Sequence, residues 1–551
     1  MHALRLLRNL LALLPVGVAC LSLTSCSSLD ESGYDNAVGP ARQTGAADTE
    51  GASRPTAPAV HSEPAVTPLA VPPQGPLKLT VENTILLTVE NNKAFQVQRL
   101  SPAIRRTFEQ QERAAFDPVA GAAASHRRTD AERLARTGTE TESFASRNTS
   151  GELSLNEFFS TGTTVALEAT TDMTDSSLYA DSFASTRVGL TVTQAILRGF
   201  GTRVNLASLR QARMDTLASQ YELRGFAESL IAEAETTYWD YALAERQIEI
   251  YTLSLKLAQD QLTETAERIE IGTLAETELA AAQAELALRR EDLINARSNL
   301  ATIRLRLLRL LNPPGANLWD RQIVLEDQPI VLDVPLDDVE PHVLVALRMR
   351  PDLNQARLEV KRGDLEIVKT RNGLLPKMDL FLTLGKTGYA NSFGRSVQDL
   401  DGSNYDFLAG VSFEYPFGNR HAEAHHRRAI LSRKQSEEAL GNLAQLVEVD
   451  VRSAYIEVNR AREQAAATSA TRRLQEEKLR AETEKFRAGK STTLLVAQVQ
   501  RDLVASQISE VQAVVTHLKS LVELYRLEGS LLERRGILAP GREPVNLLAQ
   551  L

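Results

Sequence analysis

Cysteine is almost absent from this sequence. Only two of the 551 residues are cysteines, Cys20 and Cys26, and both lie close to the N-terminus. The rest of the chain contains no thiol. An internal disulfide is therefore excluded there, and so is any metal site built on cysteine thiolates.

Long apolar runs are also scarce. The most apolar stretch, residues 10–23, follows Arg5 and Arg8 and is too short to span a bilayer, so residues 1–25 are predicted to be an export signal. No later run reaches the length of a transmembrane helix. If the mature chain crosses a membrane, we expect it to do so with β-strands.

Neither sign of charge is concentrated in one region. The net charge of -9 is spread over 62 basic and 71 acidic residues, and no basic stripe is present that would bind nucleic acid. A nucleic-acid partner is therefore not predicted. Aromatic residues make up only 5% of the chain, whereas Ala, Leu, Glu, Gln and Arg are abundant, which is typical of a mainly helical protein.

The residues that end at Cys26 resemble a bacterial lipobox. Leu23-Thr24-Ser25-Cys26 fits cleavage before the cysteine and attachment of a diacylglycerol to its thiol. Ser27 follows, and the resemblance to bacterial lipoproteins implies passage to the outer membrane and contact with its lipid. The alternative is a plain cleaved signal in which Cys26 has no role. Residues 26–76 are rich in Ser, Thr, Pro, Ala and Gly, which predicts a flexible tether.

An internal repeat divides the following residues into two halves. Tyr238 and Tyr455 are 217 positions apart, and the same offset relates other identical pairs without a gap. These pairs include Gly201 and Gly418, Arg203 and Arg420, Leu223 and Leu440, Gly272 and Gly489, and Leu286 and Leu503. The repeat predicts two similar units, residues 77–311 and 341–535, with a linker at 312–340 and a tail at 536–551.

Each half contains a helical pattern far longer than globular proteins use. Residues 203–271 and 420–488 contain no proline and almost no glycine, so each could form a helix ~100 Å long. Apolar and small residues recur about every seven positions, which predicts a coiled-coil seam; in the first half they include Leu223, Leu230, Ala234, Tyr241, Ala244, Ile248, Leu255, Ala258, Leu262 and Ile269. The pattern resumes after Gly272 and Gly489. We therefore predict antiparallel helical hairpins over residues 203–311 and 420–535, each with its tip at the glycine.

Alternating patterns before each long helix predict strands with one apolar face. Val188, Leu190 and Val192 alternate with small or polar residues, and residues 407–413 show a similar alternation. Earlier strands are predicted at residues 165–169 and 378–384. Residues 172–185 and 391–404 would be the loops of the two resulting hairpins.

The number of strands predicts an oligomer. About four strands per chain cannot close a transmembrane barrel, because single-chain barrels need ~8. Weaker strand patterns near residues 119–125 and 153–159 would add a hairpin to the first half only. Three chains would then supply 12 strands, or 18 with the extra hairpin.

In this order, the features resemble the TolC-like outer-membrane efflux proteins over roughly residues 79–536. The matching motifs are Phe116-Asp117-Pro118-Val119, Leu197-Arg198-Gly199-Phe200-Gly201, Arg350-Pro351-Asp352-Leu353, Leu375-Pro376, Tyr415-Pro416-Phe417 and Phe486-Arg487-Ala488-Gly489. The resemblance implies an α+β membrane protein built from a duplicated strand-helix repeat. Three copies would share one transmembrane β-barrel, continued by a long periplasmic α-helical barrel, with residues 312–340 and 536–551 in an equatorial belt.

The resemblance also implies a function and its sites. A homotrimer in the outer membrane would passively export drugs, metals or other small molecules, received from an inner-membrane transporter through a periplasmic adaptor protein. The adaptor would contact the tips at Gly272, Thr273, Leu274, Gly489, Lys490, Ser491 and Thr492. The pore would be narrowest at Leu495, Gln498 and Glu278. Relatives often have acidic residues where Leu495 and Gln498 stand, so the second half should provide an uncharged constriction.

Other functions are compatible with parts of the sequence. The same architecture also serves type I protein secretion, and the sequence does not separate the two roles. A coiled-coil envelope lipoprotein without a channel would leave the strands unexplained. His421, His425 and His426 have a spacing compatible with a metal, although a solvated helix start fits them better. The pair Tyr238-Trp239 fits core packing, and no catalytic constellation or cofactor site indicates an enzyme.

Removal of one thiol tests the lipidation site. The variant Cys26→Ser should lose incorporation of a labelled fatty acid, because no sulfur remains for the diacylglycerol, and its strands should still allow insertion. The control Cys20→Ser should keep the label. Label retained in Cys26→Ser would contradict the assignment.

Overall fold

A computed structural model describes most of the chain after the predicted tether. The described residues are 39–40, 75–134, 138, 141–177, 181–314, 318–331 and 336–546. The predicted signal, the lipidation site Cys26 and nearly all of the predicted tether lie outside them. Residues 39–40 pair with Ile537–Leu538 near the C-terminus.

Six antiparallel strands form one sheet, in which the strand order follows the chain. They are β1 (Val119–Leu134), β2 (Thr141–Phe159), β3 (Thr163–Ser176), β4 (Phe183–Ala195), β5 (Lys377–Ala390) and β6 (Tyr405–Glu414). The strands predicted at 165–169, 188–192, 378–384 and 407–413 lie within β3, β4, β5 and β6. The first loop is shorter than predicted, because β3 continues to Ser176 and β4 begins at Phe183. The second loop has its predicted bounds, residues 391–404, and contains a short helix, Phe393–Gln398.

Two adjacent rows of residues give the sheet an apolar side and a polar side at their level. Successive register partners on one face form an apolar row across all six strands: Ala120, Leu155, Leu167, Leu190, Leu384 and Phe407. The adjacent row points to the other face, because side chains alternate along a strand. Its members are Gly121, Ser154, Glu168, Gly189, Gly385 and Asp406.

The first half carries the extra hairpin, formed by β1 and β2. Before the sheet, corresponding helices of the two halves are 258 positions apart, as shown by Val81–Asn91 and Val339–Met349. After the sheet the offset is 217 positions, as for Gly272 and Gly489. The difference of 41 positions equals the span Val119–Phe159, which is the hairpin itself. Its strands are much longer than the short patterns near 119–125 and 153–159 indicated.

The described residues form nine helices of at least seven residues. They are α1 (Val81–Asn91), α2 (Lys93–Arg99), α3 (Ser101–Arg113), α4 (Ala207–Glu270), α5 (Thr277–Leu311), α6 (Val339–Met349), α7 (Pro351–Gly373), α8 (Arg420–Arg487) and α9 (Thr493–Glu528). Helix α7 packs against both α4 and α8, and α9 packs against α4, so the two halves are in direct contact. Within the described ranges, no helix combines the length and apolar character needed to cross a membrane.

Two helical hairpins, α4 with α5 and α8 with α9, account for most of the helical part. All the predicted seam residues of α4, from Leu223 to Ile269, are buried or half-buried. The first long helix differs from the prediction at its start. A separate turn, Thr202–Asn205, comes first, and α4 begins after Leu206, whose φ of -90° and ψ of 1° are not helical.

The packing core lies around the middle of α4. Tyr238 is fully buried, and its hydroxyl donates to the carbonyl of Leu79 at 3.1 Å and accepts from the amide of Asp327 at 3.3 Å. The parallel pair of short strands Leu77–Leu79 and Ile323–Leu325 is thereby fixed to the helix. Trp239 packs edge-on against Tyr238 with ring centres 5.2 Å apart, which confirms the predicted core role of both residues.

Buried charges attach the C-terminal segment to α4. Arg224 is fully buried and donates to the two carboxylate oxygens of Glu533 at 2.7 and 2.8 Å. Arg224 also lies 3.2 Å from the carboxylate of Glu228. Burial raises the pKa of Glu228 to about 8, against the opposing effect of Arg224. A second ion pair, between Glu235 and Arg535 at 2.6 Å, attaches the same segment to α4 at a later point of the helix.

The repeat also appears in the backbone, at three pairs of left-handed residues. Gly201 and Gly418 have φ values of 92° and 87°, and the tip glycines Gly272 and Gly489 have 80° and 70°. At the ends of α5 and α9, Asn312 has a φ of 40° and Gly529 a φ of 73°. Each pair is 217 positions apart. Glycine and asparagine are the residues that adopt this conformation most readily.

Two glycine-to-alanine changes should have opposite effects on stability. A Cβ at Gly529 would lie 3.0 Å from the backbone of Arg350, in a backbone with positive φ, so Gly529→Ala should destabilise by about 1–2 kcal/mol. A Cβ at Gly441, inside α8, would meet nothing within 4 Å, so Gly441→Ala should stabilise by up to about 1 kcal/mol. Thermal unfolding of both variants checks the signs, and a stabilised Gly529→Ala would contradict this account.

Candidate functional site

The two helical tips have the same hydrogen-bonded frame. At the first tip, the amide of Thr273 donates to the carbonyl of Arg268 at 2.8 Å, and the amide of Gly272 donates to Ile269 at 2.9 Å. At the second tip, Lys490 donates to Lys485 at 2.8 Å, and Gly489 donates to Phe486 at 3.0 Å. Bonds of this kind satisfy the last carbonyls of a helix and require a left-handed residue, which both tip glycines provide.

The tips differ in how the returning helix begins. The hydroxyl of Thr492 accepts a hydrogen bond from the amide of Leu495 at 3.3 Å and so caps α9. The equivalent residue of the first tip is Ala275, which has no side-chain acceptor, and α5 begins without a side-chain cap. The second tip also has a hydrogen bond from the hydroxyl of Ser491 to the carboxylate of Glu482.

One contact joins the two tips directly. The guanidinium of Arg268, on α4, lies 4.7 Å from the ring centre of Phe486, on α8. Arg268 also pairs with Glu264 at 2.6 Å, one turn earlier on its own helix. Phe486 is buried. A cation over an aromatic face is attractive, so this contact holds the two hairpins together close to their ends.

Most of the predicted adaptor-contact residues are accessible. Gly272, Thr273, Gly489, Lys490 and Thr492 are exposed, whereas Leu274 and Ser491 are half-buried. The neighbouring Ile271 is 77% exposed, so the first tip also presents an apolar side chain.

The predicted constriction residues lie in different environments. Leu495 is 46% exposed and Gln498 is exposed, whereas the neighbouring Thr493, Val496 and Val499 of α9 are buried. Glu278 is the repeat equivalent of Leu495 and is half-buried; its Oε2 atom is buried without a hydrogen-bond partner among the described residues. The surface of α9 is therefore uncharged at these two positions.

A small cavity lies between the hairpins just beyond the tips. It has a volume of about 260 Å³ and lies among α4, α5 and the start of α9. Its lining consists mostly of small residues, with a few larger ones: Ala258, Gln261, Ala281, Ala282, Ala284, Glu285, Leu288, Thr493, Leu494, Ala497 and Arg501. Sequence reasoning missed this gap, because the alanines are also compatible with close helix packing.

An ion pair crosses the polar face of the sheet. Arg187 on β4 donates from Nε and Nη2 to the carboxylate of Asp406 on β6, at 3.2 and 2.7 Å. The two side chains meet above β5, where Gly385 leaves room for them. A Cβ on that glycine would lie 2.3 Å from Asp406 Oδ1. The partners are 219 residues apart, and no local pattern in the sequence indicated the pair.

The three histidines do not converge. The rings of His421 and His425 are stacked with centres 6.2 Å apart, while His426 contacts the hydroxyl of Thr370 on α7 through Nδ1 at 3.0 Å. Among the described residues, no group of three or more His, Cys, Asp or Glu side chains is arranged to hold a metal ion.

Comparisons with known proteins agree with this architecture. The family model described as outer membrane efflux protein matches residues 87–313 and 344–530, one match for each half. The curated protein BepC of Brucella suis is 24% identical over 337 residues, which is 59% of this chain and 68% of BepC. OpmQ of Pseudomonas putida, named a pyoverdine export outer membrane protein, is 23% identical over 335 residues, covering 59% of this chain and 67% of OpmQ.

Solved structures share the fold at low sequence identity. The Campylobacter jejuni CmeC outer membrane channel superposes with a TM-score of 0.62 at 13% identity, over 88% of this chain and 98% of CmeC. The open state of the Neisseria gonorrhoeae MtrE channel gives a TM-score of 0.57 at 19% identity, over 82% of this chain and 89% of MtrE. The predicted fold class is thereby confirmed. Because the family model covers most of both halves, the chain belongs to the outer membrane efflux protein family.

Proposed function

We propose that three copies of this chain form a passive outer-membrane duct for small molecules, within a tripartite efflux system. An inner-membrane transporter supplies the solute and the energy, and a periplasmic adaptor joins that transporter to the tips of this protein. Family membership carries the proposal, because the family's model spans both halves of the chain.

The geometry suits a duct more than a scaffold. A sheet with an apolar row on one face and a polar row on the other fits a wall between lipid and water. The helical hairpins continue from the same sheet and end in exposed tips, so solute and partner would meet at the end away from the membrane. Neither the family nor its fold indicates catalysis, and we propose none.

Efflux of solutes is favoured over protein secretion. BepC is named as an efflux protein and OpmQ as a pyoverdine export protein. Neither name refers to the secretion of proteins, and no feature of the described residues favours that alternative.

Site-specific crosslinking tests the adaptor contact and, with it, the proposed function. Photo-crosslinking residues at Leu274 and Thr492, one at each tip, should capture the adaptor in cells. The same probes at Ser392 and Ser403, in the loop between β5 and β6 at the opposite end, should not. Capture at the loop and not at the tips would invert the proposed topology.

The uncharged constriction is tested by adding charge. Leu495→Asp should raise conductance and cation preference in planar bilayers, because a ring of three carboxylates would replace three apolar side chains around the axis. Leu494→Asp is the matched control, since Leu494 is the preceding residue of α9, is also exposed, and lines the cavity among α4, α5 and α9. A stable trimer in which Leu495→Asp changes neither quantity would contradict a pore-lining Leu495.

The contact between the tips should hold the duct closed. Arg268→Gln removes the cation over Phe486, a loss of about 0.5–2 kcal/mol of attraction, and should increase the frequency of channel opening. Arg487→Gln is the matched control, because Arg487 is exposed and pairs with the exposed Glu484 at 2.9 Å on its own helix. Equal opening in the two variants would show that the contact does not restrain the tips.

A further inference from the structure

The extra hairpin has the same two faces as the rest of the sheet. At the level of the apolar row, β1 contributes Ala120 and β2 contributes Leu155, in register with Leu167 of β3. On the opposite face, Gly121 and Ser154 continue the polar row to Glu168. A hairpin that lay outside the membrane wall would not need this alternation at this level.

The hairpin pairs with β3 along the whole length of that strand. β2 pairs with β3 from Ser146 to Phe159, so both edges of β3 are occupied, by β2 and by β4. In the described part of the chain, the outer edges of the sheet are therefore β1 and β6. Unpaired edge strands expose main-chain donors and acceptors, which lipid cannot satisfy.

Six strands cannot close on themselves, so each free edge needs a strand from another chain. The directions of the strands allow this, because β1 and β6 run in opposite directions along the sheet. We propose that β6 of each copy pairs with β1 of the next, so that a trimer closes an 18-stranded wall that includes the inserted hairpin. This inference depends on the trimeric channel of the proposed function.

The alternative is a 12-stranded wall, in which β6 pairs with β3 of the neighbour and the hairpin β1–β2 lies outside. That arrangement would break the fourteen-residue pairing of β2 with β3.

The two walls also differ in width. At a strand spacing of about 4.8 Å and a tilt of about 40°, 18 strands give a backbone diameter of about 36 Å, against about 24 Å for 12.

The consequence concerns selection by size. Inward side chains reduce the backbone diameter, but the 18-stranded wall would still enclose an open water-filled channel, as barrels of about 16–18 strands do. Solutes much larger than a drug-sized molecule would then pass the membrane section freely. The tips would be the place where size is selected.

Cysteine crosslinking distinguishes the two walls. The described residues contain no cysteine, and Ala409→Cys alone is the control for any crosslink through Cys26. Ala409→Cys on β6 is combined, one variant at a time, with cysteines along the apolar face of β1 from Ala120 to Arg128, or of β3 from Val165 to Met173. A short bismaleimide is applied to the full-length trimer in outer membranes. A scan along each strand is used because closure can shift the register between copies.

Each outcome decides one point. Covalent trimers that form with the β1 series and do not form with the β3 series support the 18-stranded wall. Covalent trimers formed with the β3 series and not with β1 overturn it but leave the trimeric channel intact. No crosslink in either series, with a monomer in native gels, overturns the proposed trimer and this inference with it.

Deletion of the hairpin provides a second test. Removal of residues 119–159 gives the first half the strand number of the second half, and it frees the edge of β3. The deletion variant should then form covalent trimers between Ala409→Cys and the β3 series, which the intact protein does not. If the deletion does not assemble, the scan on the intact protein still decides between the two walls.

Discussion

Main-chain hydrogen bonding at the edges of the sheet is the constraint on which the architecture depends. Amides and carbonyls in the bilayer core have no water to bond, so a strand that borders lipid needs a partner on both sides. In this chain the helices between β4 and β5 lie at one end of the sheet, and β1 and β6 are left as edges. In the proposed trimer, neighbouring copies would supply the missing strand partners, and the helical hairpins, which continue from the same strands, would then form a ring.

The sequence predicted the parts of the fold that repeat or alternate. The 217-residue offset identified both helical hairpins and both tip glycines, because identical residues at one spacing need no knowledge of the fold. Alternation identified β3 to β6. The extra hairpin shows a weaker alternation in sequence. The apolar face of β1 begins with alanines, and the parts of both strands nearest their connecting loop are polar. Its full length depends on pairing between strands, which composition alone does not encode.

The contacts that join distant segments could not be predicted. Arg187 and Asp406 belong to different halves, and so do Arg268 and Phe486. Each partner is an ordinary residue in its local pattern, and only the folded chain brings the two together. The buried Arg224 is a similar case: on α4 it resembles many other surface arginines in sequence, yet it is fully enclosed by the C-terminal segment. A charge so deeply buried requires its carboxylate partners, so the C-terminal segment is bound to the fold by more than apolar contact.

Restraints are distributed unevenly along the long axis of the helices. Near Tyr238, apolar clusters, short strands and buried ion pairs surround α4 on several sides. Towards the tips, much of the surface carries exposed ion pairs such as Arg480 with Glu477, which contribute little to stability. The helical part is therefore more strongly held around its middle than at its tips. The tips can separate at a modest free-energy cost, which the proposed opening of the duct requires.

The hydroxyl cap on Thr492 makes the two tips chemically inequivalent, although their backbones follow the same course. A capped helix start is more stable than an uncapped one by about 1 kcal/mol, so α5 frays more readily at its first turn than α9 does. Around a threefold axis, the duplicated halves would produce six tips, in which capped and uncapped helix starts alternate. A partner built from identical subunits would therefore find two kinds of binding site at these tips. Its subunits would bind the two kinds with different affinities.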